Sequence, residues 1–431
     1  MTRFGKLCAA ALLVAASPVA AQSTYSCNGL DAQQKFAAVE GTDGVFYRVT
    51  PDLHMFNSFS GVTADRVAAL SKALAAQGTT LIFVALPTKS LAMPDQLPQA
   101  ARDYGFDSSL AATVYLEQIK KLQQRGVAVV DARLALRAAP IDTPSFFPTD
   151  YRLTAAGADR EAQAIPAVIA ATPDFAAMPK GRFEVVPAGA VTLESAMRQA
   201  LQRHCLLPLP LAQTDTFSAG KLQGAATGGG NSIFGGGSAR VAVVGTEIDG
   251  NPVANLSGFV AKYTNLDTVQ YAVTGGGGFD AISSYLTSAS FQQGRPAYLV
   301  WSVPIQDSLA SFGDQPFAEL TAAAGDTCRV PLPVMANPGG NSIVADLSQL
   351  DPGQSYTLLV DTDSAAVSAA RFDFTIGAQV ISKAIYRSRE QVKTGRFFMP
   401  MSDLPPEGAS TVEVQLDAAL GGSASVTACF N

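Results

Sequence analysis

The sequence predicts an α/β domain with a mainly parallel sheet, followed by an all-β sandwich domain. Two patterns predict this order. Apolar strand-like runs alternate with amphipathic helical stretches from Thr63 to Val303. After about Gly325, short β-prone runs separated by turn residues replace them. Alternation of strands and helices builds a parallel sheet, and closely spaced short strands build a sandwich. The cysteines agree with that division, because they can pair within each part.

The elements follow in order. Thr63–Gln77 has the spacing of an amphipathic helix, with Thr63 as its expected N-cap. Thr79–Leu86 is a continuous apolar run, as in a strand buried on both faces. A second helix is expected over Ser109–Arg125, a short strand over Val127–Val130 ending at Asp131, and a third helix over Thr154–Ala171 opened by Thr154. Ala239–Val244 and Tyr298–Val303 read as further buried strands, with a helix over Val253–Leu266 and a strand over Val269–Val273. Ligands of such sheets sit at the carboxyl ends of the strands, so the loops after Leu86, Asp131 and Val244 and around Asp150 are the functional candidates. Gly224–Gly237 reads as a mobile connector, whereas Gly275–Gly278 ends a strand and suits close backbone approach to a ligand. Neither is a P-loop, since no Gly-Lys-Ser/Thr follows. In the sandwich, runs at Ser342–Ala345, Ser355–Val360, Ala370–Phe374, Thr394–Pro400 and Thr411–Leu416 are separated by turns such as Asp351-Pro352-Gly353.

The N-terminus has the layout of a secretory leader. Arg3 and Lys6 precede an apolar run from Leu7 to Ala16, and Val19 and Ala21 suit cleavage before Gln22. That run is too short to span a bilayer, which takes roughly 20 apolar residues. The expected order is therefore a leader over 1–21, the α/β domain over 22–324 and the sandwich over 325–431, in a periplasmic, not membrane-spanning protein. With Cys8 in the leader, Cys27, Cys205, Cys328 and Cys429 remain. They allow three pairings, and Cys27–Cys205 with Cys328–Cys429 keeps each bridge inside one candidate domain. No cysteine or histidine cluster has metal-ligand spacing, so no metal or cofactor is expected. The net charge of −6, which becomes −8 once Arg3 and Lys6 leave, argues against nucleic acid as a partner.

Several segments together resemble the AlgX/AlgJ alginate O-acetyltransferases. These are Gly41-Thr42-Asp43-Gly44-Val45-Phe46, with Val45 at a family tryptophan, Pro87-Thr88-Lys89-Ser90, Thr149-Asp150-Tyr151-Arg152-Leu153-Thr154 with Gly157, and Val244-Gly245-Thr246-Glu247. Ala272–Gly277 and Leu299-Val300-Trp301 resemble the family's later strands. The resemblance implies an SGNH-hydrolase-like domain, a carbohydrate-binding sandwich, and Lys89 beside the substrate. Family chemistry uses a serine nucleophile, a histidine base and an aspartate that orients the histidine.

Asp150 is present, but Arg152 stands at the histidine position and Glu247 at the serine position. An arginine stays protonated and cannot accept a serine's proton. Opposite charges at positions that the family brings together predict a bidentate Glu247–Arg152 pair, with Asp150 as a second acceptor. Gly245, Thr246, Gly275 and Gly276 are the expected remnant of an oxyanion hole. Of the two histidines, His204 adjoins a cysteine and His54 lies near the N-terminal motif; neither has an identifiable serine partner.

In the sandwich, Lys383, Arg387, Arg389, Lys393 and Arg396 are interspersed with Tyr386, Phe397 and Phe398. Cations and aromatic faces together suit an acidic sugar polymer. The expected function is thus a polysaccharide-binding or scaffold component of an exopolysaccharide O-acetylation or export system. Its expected partners are an anionic exopolysaccharide and other modification or export proteins. A transferase or esterase with a relocated triad, and a purely structural envelope protein, are the alternatives.

Overall fold

The computed structural model describes residues 23–55, 59–140, 142–222, 240–325, 328–336, 339–405 and 408–430; the leader and the Gly224–Gly237 stretch lie outside them. In the N-terminal part, β1 (Ala38–Glu40) and β2 (Phe46–Arg48) form an antiparallel pair. Then come α1 (Gly61–Ala75), β3 (Thr80–Leu86), α2 (Lys89–Ala92), α3 (Ser108–Gln123), β4 (Ala128–Asp131), α4 (Arg133–Arg137) and α5 (Ala155–Ala170). Next are β5 (Phe183–Leu193), α6 (Ala196–Gln202), β6 (Ala212–Lys221), β7 (Val241–Gly245), α7 (Leu256–Thr264) and β8 (Thr268–Ala272). They are followed by α8 (Asp280–Leu286), α9 (Ala289–Gln293), β9 (Tyr298–Pro304) and α10 (Gln315–Ala324).

Side-chain caps decide where the long helices begin. Asp107 accepts from Leu110 N at 2.8 Å to open α3, and Thr154 accepts from Gly157 N at 3.0 Å to open α5. Gly157 is required there, since a Cβ would lie 2.0 Å from the Ser145 carbonyl oxygen. Helix α1 departs from the expected start. Its cap is Ser60, whose hydroxyl accepts from Thr63 N at 3.0 Å. Thr63 is buried and turns its own hydroxyl back onto Ser60 at 2.9 Å, so it belongs to the first turn. The stretch from Val253 also divides, into a single turn at Pro252–Ala254 and then α7.

The central sheet has the order β4-β3-β9-β7-β8, and every pairing is parallel. Its middle strands β7 and β9 are buried along their whole length, which explains their uninterrupted apolar sequence. Helix α1 packs with α3 and α10, and α5 packs with α4 and α7. Trp301 of β9 meets Phe83 edge to face at 5.5 Å and donates its indole N–H to Gly278 O at 3.0 Å. A long antiparallel hairpin, β5–β6, was not anticipated. Most of β5 is exposed, so it lacks the apolar run that marks a buried strand.

The C-terminal part is a two-sheet antiparallel sandwich. Its strands are β10 (Cys328–Pro331), β11 (Val334–Ala336), β12 (Ser342–Asp346), β13 (Tyr356–Asp361) and β14 (Ala369–Ile376). They continue as β15 (Gln379–Tyr386), β16 (Arg396–Pro400), β17 (Thr411–Leu416) and β18 (Ser425–Phe430). The sheets run β10-β18-β13-β16 and β11-β12-β17-β14-β15. Strand β17 alternates inward Val412, Val414 and Leu416 with outward Glu413 and Gln415, and Phe372, Phe374, Leu358 and Val360 fill the space between the sheets. Disulfides join Cys27 to Cys205 and Cys328 to Cys429, the latter across the β10–β18 ladder.

The basic segment of the sandwich corrects an expectation. The Arg387 side chain is enclosed and makes a two-pronged pair with Glu319 of α10 at 2.7 and 2.5 Å. Arg396 pairs with Asp361 at 2.8 Å, and Lys383 pairs with Asp403. Phe397 and Phe398 are core residues. The Arg387 guanidinium is therefore committed inside the protein rather than to a glycan, Arg396 is half-buried in its pair, and the segment latches the sandwich to the α/β part. Ser388 Oγ on Asp280 at 3.2 Å and Val392 N on Ser284 at 3.0 Å complete the latch. Arg389, Lys393 and Tyr386 remain exposed.

Candidate functional site

A cleft of about 680 Å³ opens beyond the carboxyl ends of β7, β8 and β9. Strand β7 delivers Thr246 and Glu247, the turn after β8 delivers Gly275 and Gly276, and the turn after β9 delivers Gln306 and Asp307. Tyr151 comes from the loop before α5, and Lys35, Phe36, Arg48 and His54 come from the N-terminal segment. The latch from the sandwich adds Glu390 to the rim, its Cγ 3.3 Å from where a Cβ on Gly275 would stand.

The expected Glu247–Arg152 pair is not formed. Arg152 instead folds back on Asp150, with Nε to Oδ1 at 3.0 Å and Nη2 to Oδ2 at 2.8 Å, and Nη2 also reaches Glu194 O at 2.6 Å. Asp150 is 1% exposed. Burial raises its pKa, but the hydrogen bonds from Arg152 and Ser195 outweigh that effect and hold the carboxyl below its ordinary value. The i, i+2 spacing makes this short loop a closed chelate, because the same carboxylate also accepts Arg152 N at 2.9 Å.

Glu247 finds neutral partners. Gly275 N donates to Oε2 at 2.9 Å, and the Tyr151 hydroxyl donates to Oε1. Burial and then the Glu247 hydrogen bond push the Tyr151 hydroxyl well above its usual pKa, so it stays a proton donor. The Arg48 guanidinium lies 4.5 Å above the Tyr151 ring while it is held by Asp52 at 3.2 and 3.1 Å. The expected oxyanion donors are thus engaged. Gly275 N serves Glu247, Gly276 N donates to Val273 O at 3.3 Å, and Thr246 N donates to Asp249 Oδ1 at 3.1 Å. Gly245 ends β7, and a Cβ there would meet Asp249 Oδ1 at 2.7 Å.

Lys89 is also relocated from its expected role. It is 1% exposed and donates to the carbonyls of Phe147, Pro148 and Asp150 at 2.7, 2.9 and 3.0 Å. It cannot touch a ligand in the cleft and instead holds the turn that presents Asp150, Tyr151 and Arg152. Burial pushes its pKa down to about 7, against the pull of Asp52 and Asp150. Three carbonyl acceptors call for three N–H donors, which only the ammonium form supplies.

Under the Thr246–Gly250 turn lies a pair of acids that sequence reasoning missed. Glu161 of α5 and Asp249 are fully buried. Ser302 of β9 donates to Glu161 Oε1 at 2.9 Å, while Glu161 Oε2 and Asp249 Oδ2 meet no other donor. One proton held between them would satisfy both oxygens. Burial and then the charge of Asp249 raise Glu161 well above its ordinary pKa; burial raises Asp249 to about 6. The sequence did carry a sign of this pair. Glu161 sits on the apolar stripe of Ala158, Ala162, Ile165 and Ile169, where an acid has to find a partner. Asp307 of the cleft is likewise raised by burial, to about 6, with Arg48 opposing.

A parallel five-stranded sheet with a cleft at its carboxyl edge, the loop Asp150-Tyr151-Arg152 beside the turn after β7, and an appended antiparallel sandwich define an SGNH-hydrolase-like protein. The model of the SGNH hydrolase-like domain of acetyltransferase AlgX matches residues 38–305, and the chain belongs to that family. The alginate biosynthesis protein AlgX of Pseudomonas aeruginosa is 29% identical over 264 residues, covering 61% of this chain and 54% of that relative. A probable alginate O-acetylase AlgJ of Pseudomonas syringae is 26% identical over 300 residues, covering 65% of this chain and 74% of its own. The chain spans about half the length of the first curated AlgX relatives it matches, at 54% and 56%. The solved structure of Pseudomonas aeruginosa AlgX shares the fold across both parts, with a TM-score of 0.76 at 23% identity over 92% of this chain and 95% of that one.

Proposed function

We propose that this protein binds an exopolysaccharide within an alginate-type O-acetylation or export system of the periplasm and does not itself transfer the acetyl group. One observation carries the reading: Arg152 is chelated by Asp150 while Glu247 fills the Gly275 N–H, so neither base nor nucleophile is available. The relatives named for alginate biosynthesis and alginate O-acetylation support the polymer as partner. So does the cleft. Phe36 offers a half-buried ring to sugars, and the exposed Lys35 offers charge to carboxylates. Gln306, Asp307 and Glu390 offer acceptors to hydroxyls. Arg389 and Lys393 are further exposed cations of the latch segment that carries Glu390. His54 lines the same cleft, but no serine does among the described residues, which weighs against a relocated triad.

The test uses the full chain. It should release no acetate from an activated acetyl ester above background and take no fluorophosphonate label. Arg152→His with Glu247→Ser rebuilds the dyad beside Asp150 and should restore labelling; Glu247→Ser alone should not, since the serine lacks a base. Binding to an anionic polysaccharide should weaken as salt rises. Ester turnover by the wild-type protein that disappears in His54→Ala would refute the reading, and no binding to any anionic or neutral polymer would leave a structural role.

A further inference from the structure

The side chain at the nucleophile position has a shape of its own. Glutamate and O-acetylserine share one heavy-atom skeleton: a methylene replaces the ester oxygen, and a carboxylate oxygen replaces the acetyl methyl. An acylated serine is the intermediate through which serine-based acyl transfer passes. Its carbonyl oxygen is the atom that backbone N–H donors receive. Glu247 lies in that manner, with Oε2 accepting Gly275 N at 2.9 Å and Oε1 accepting the Tyr151 hydroxyl.

We infer that Glu247 is a permanent stand-in for the acyl-serine, so that the cleft is built to receive the acceptor of acyl transfer, a free polysaccharide hydroxyl, and to discriminate against the acetylated polymer. The inference rests on the polysaccharide-binding reading above. Two features of the site support it. The acetyl space is already filled, because the Gly275 N–H that an ester carbonyl would need is held by Glu247. The carboxylate also retains acceptor capacity. An ionised carboxylate has about four acceptor positions, and Gly275 and Tyr151 use one each. Glu247 is half-buried and lines the cleft, so the rest face a ligand. A sugar hydroxyl donates to such an oxygen; an acetyl ester has no proton to give. The preference should be on the order of tenfold, the worth of one charge-assisted hydrogen bond.

The measurement is calorimetric titration of the full chain with one O-acetylated bacterial alginate before and after mild alkaline de-O-acetylation. The de-O-acetylated sample should bind about tenfold more tightly. Glu247→Ala should bind the two samples alike or reverse the order, because it frees Gly275 N and empties the acyl space. Glu247→Gln keeps the skeleton as a folding control and should lose most of the preference, since its amide nitrogen accepts nothing. Equal affinity of the wild-type protein for both samples, or an unchanged preference in Glu247→Ala, overturns the inference while polysaccharide binding stands. Absence of binding to either sample overturns the binding reading itself, and this inference with it.

Discussion

Replacing Arg387 with Met should destabilise the whole chain, although the residue sits in a segment that looks like a ligand surface. The guanidinium is 6% exposed and its partner Glu319 is 3% exposed. Arg387 gives Glu319 two hydrogen bonds at 2.7 and 2.5 Å, donates to Arg396 O at 2.9 Å, and lies 5.1 Å from the Phe397 ring centre. Methionine fills much of the volume but leaves Glu319 charged and buried, with the Phe398 N–H at 3.3 Å as its remaining donor among the described residues. Removing one partner of a buried pair costs about 3–5 kcal/mol, because the other charge is left uncompensated. Urea denaturation should show that loss. Arg387→Met combined with Glu319→Leu should recover most of it, since no charge is then stranded. Arg389→Met, on an exposed neighbour, should change stability by no more than about 0.5 kcal/mol. If Arg387→Met cost under about 1 kcal/mol, or the double variant were as unstable as the single, the latch would not be an electrostatic one.

Two further outcomes follow from the buried groups beneath the site. Lys89→Met should strand three carbonyls and loosen the Asp150–Arg152 turn, lowering stability by on the order of 3 kcal/mol and raising amide exchange of residues 147–152; unchanged exchange there would refute the tether. The Glu161–Asp249 pair sets a pH dependence. Folded-state pKa values raised above the unfolded ones mean that the folded chain keeps protons the unfolded chain releases, so stability is highest below the ordinary carboxylate range. It falls as pH rises through about 6 and beyond, by about 1.4 kcal/mol per pH unit for each retained proton. Glu161→Gln still donates to Asp249 without titrating, and should flatten urea-midpoint curves between pH 5 and 8; an unaltered slope would show that the pair does not share a proton.

Periodicity and capping chemistry made most of the architecture legible. A fully apolar run such as Thr79–Leu86 has to be buried on both faces, and a strand alternating as β17 does has to face one core. Local rules also placed Thr154 as a cap, because an N-cap bonds within its own turn. They misassigned Thr63, where Ser60 is an equally good cap and burial made the choice. They missed hairpin β5–β6, whose exposed faces give no apolar pattern to detect.

The sequence by itself determined that positions 152 and 247 hold neither a histidine nor a serine, since residue identity alone states that Arg152 cannot be a base or Glu247 a serine. Partner choice belonged to the tertiary structure. Arg152 had Asp150 and Glu247 within its expected reach, and the chelate with Asp150 two residues away won, because backbone and side chain bind the same carboxylate at once. Glu247 was then left to Tyr151 and to Gly275, brought to it by the parallel strands β7 and β8. The cations from Lys383 to Arg396 followed the same logic. Composition marked them as charged, but only packing against α10 decided that Arg387 would be spent on Glu319 inside the protein and Arg389 left outside it. A charge pattern names what a side chain can bind, and burial decides which of the available partners is left to bind it.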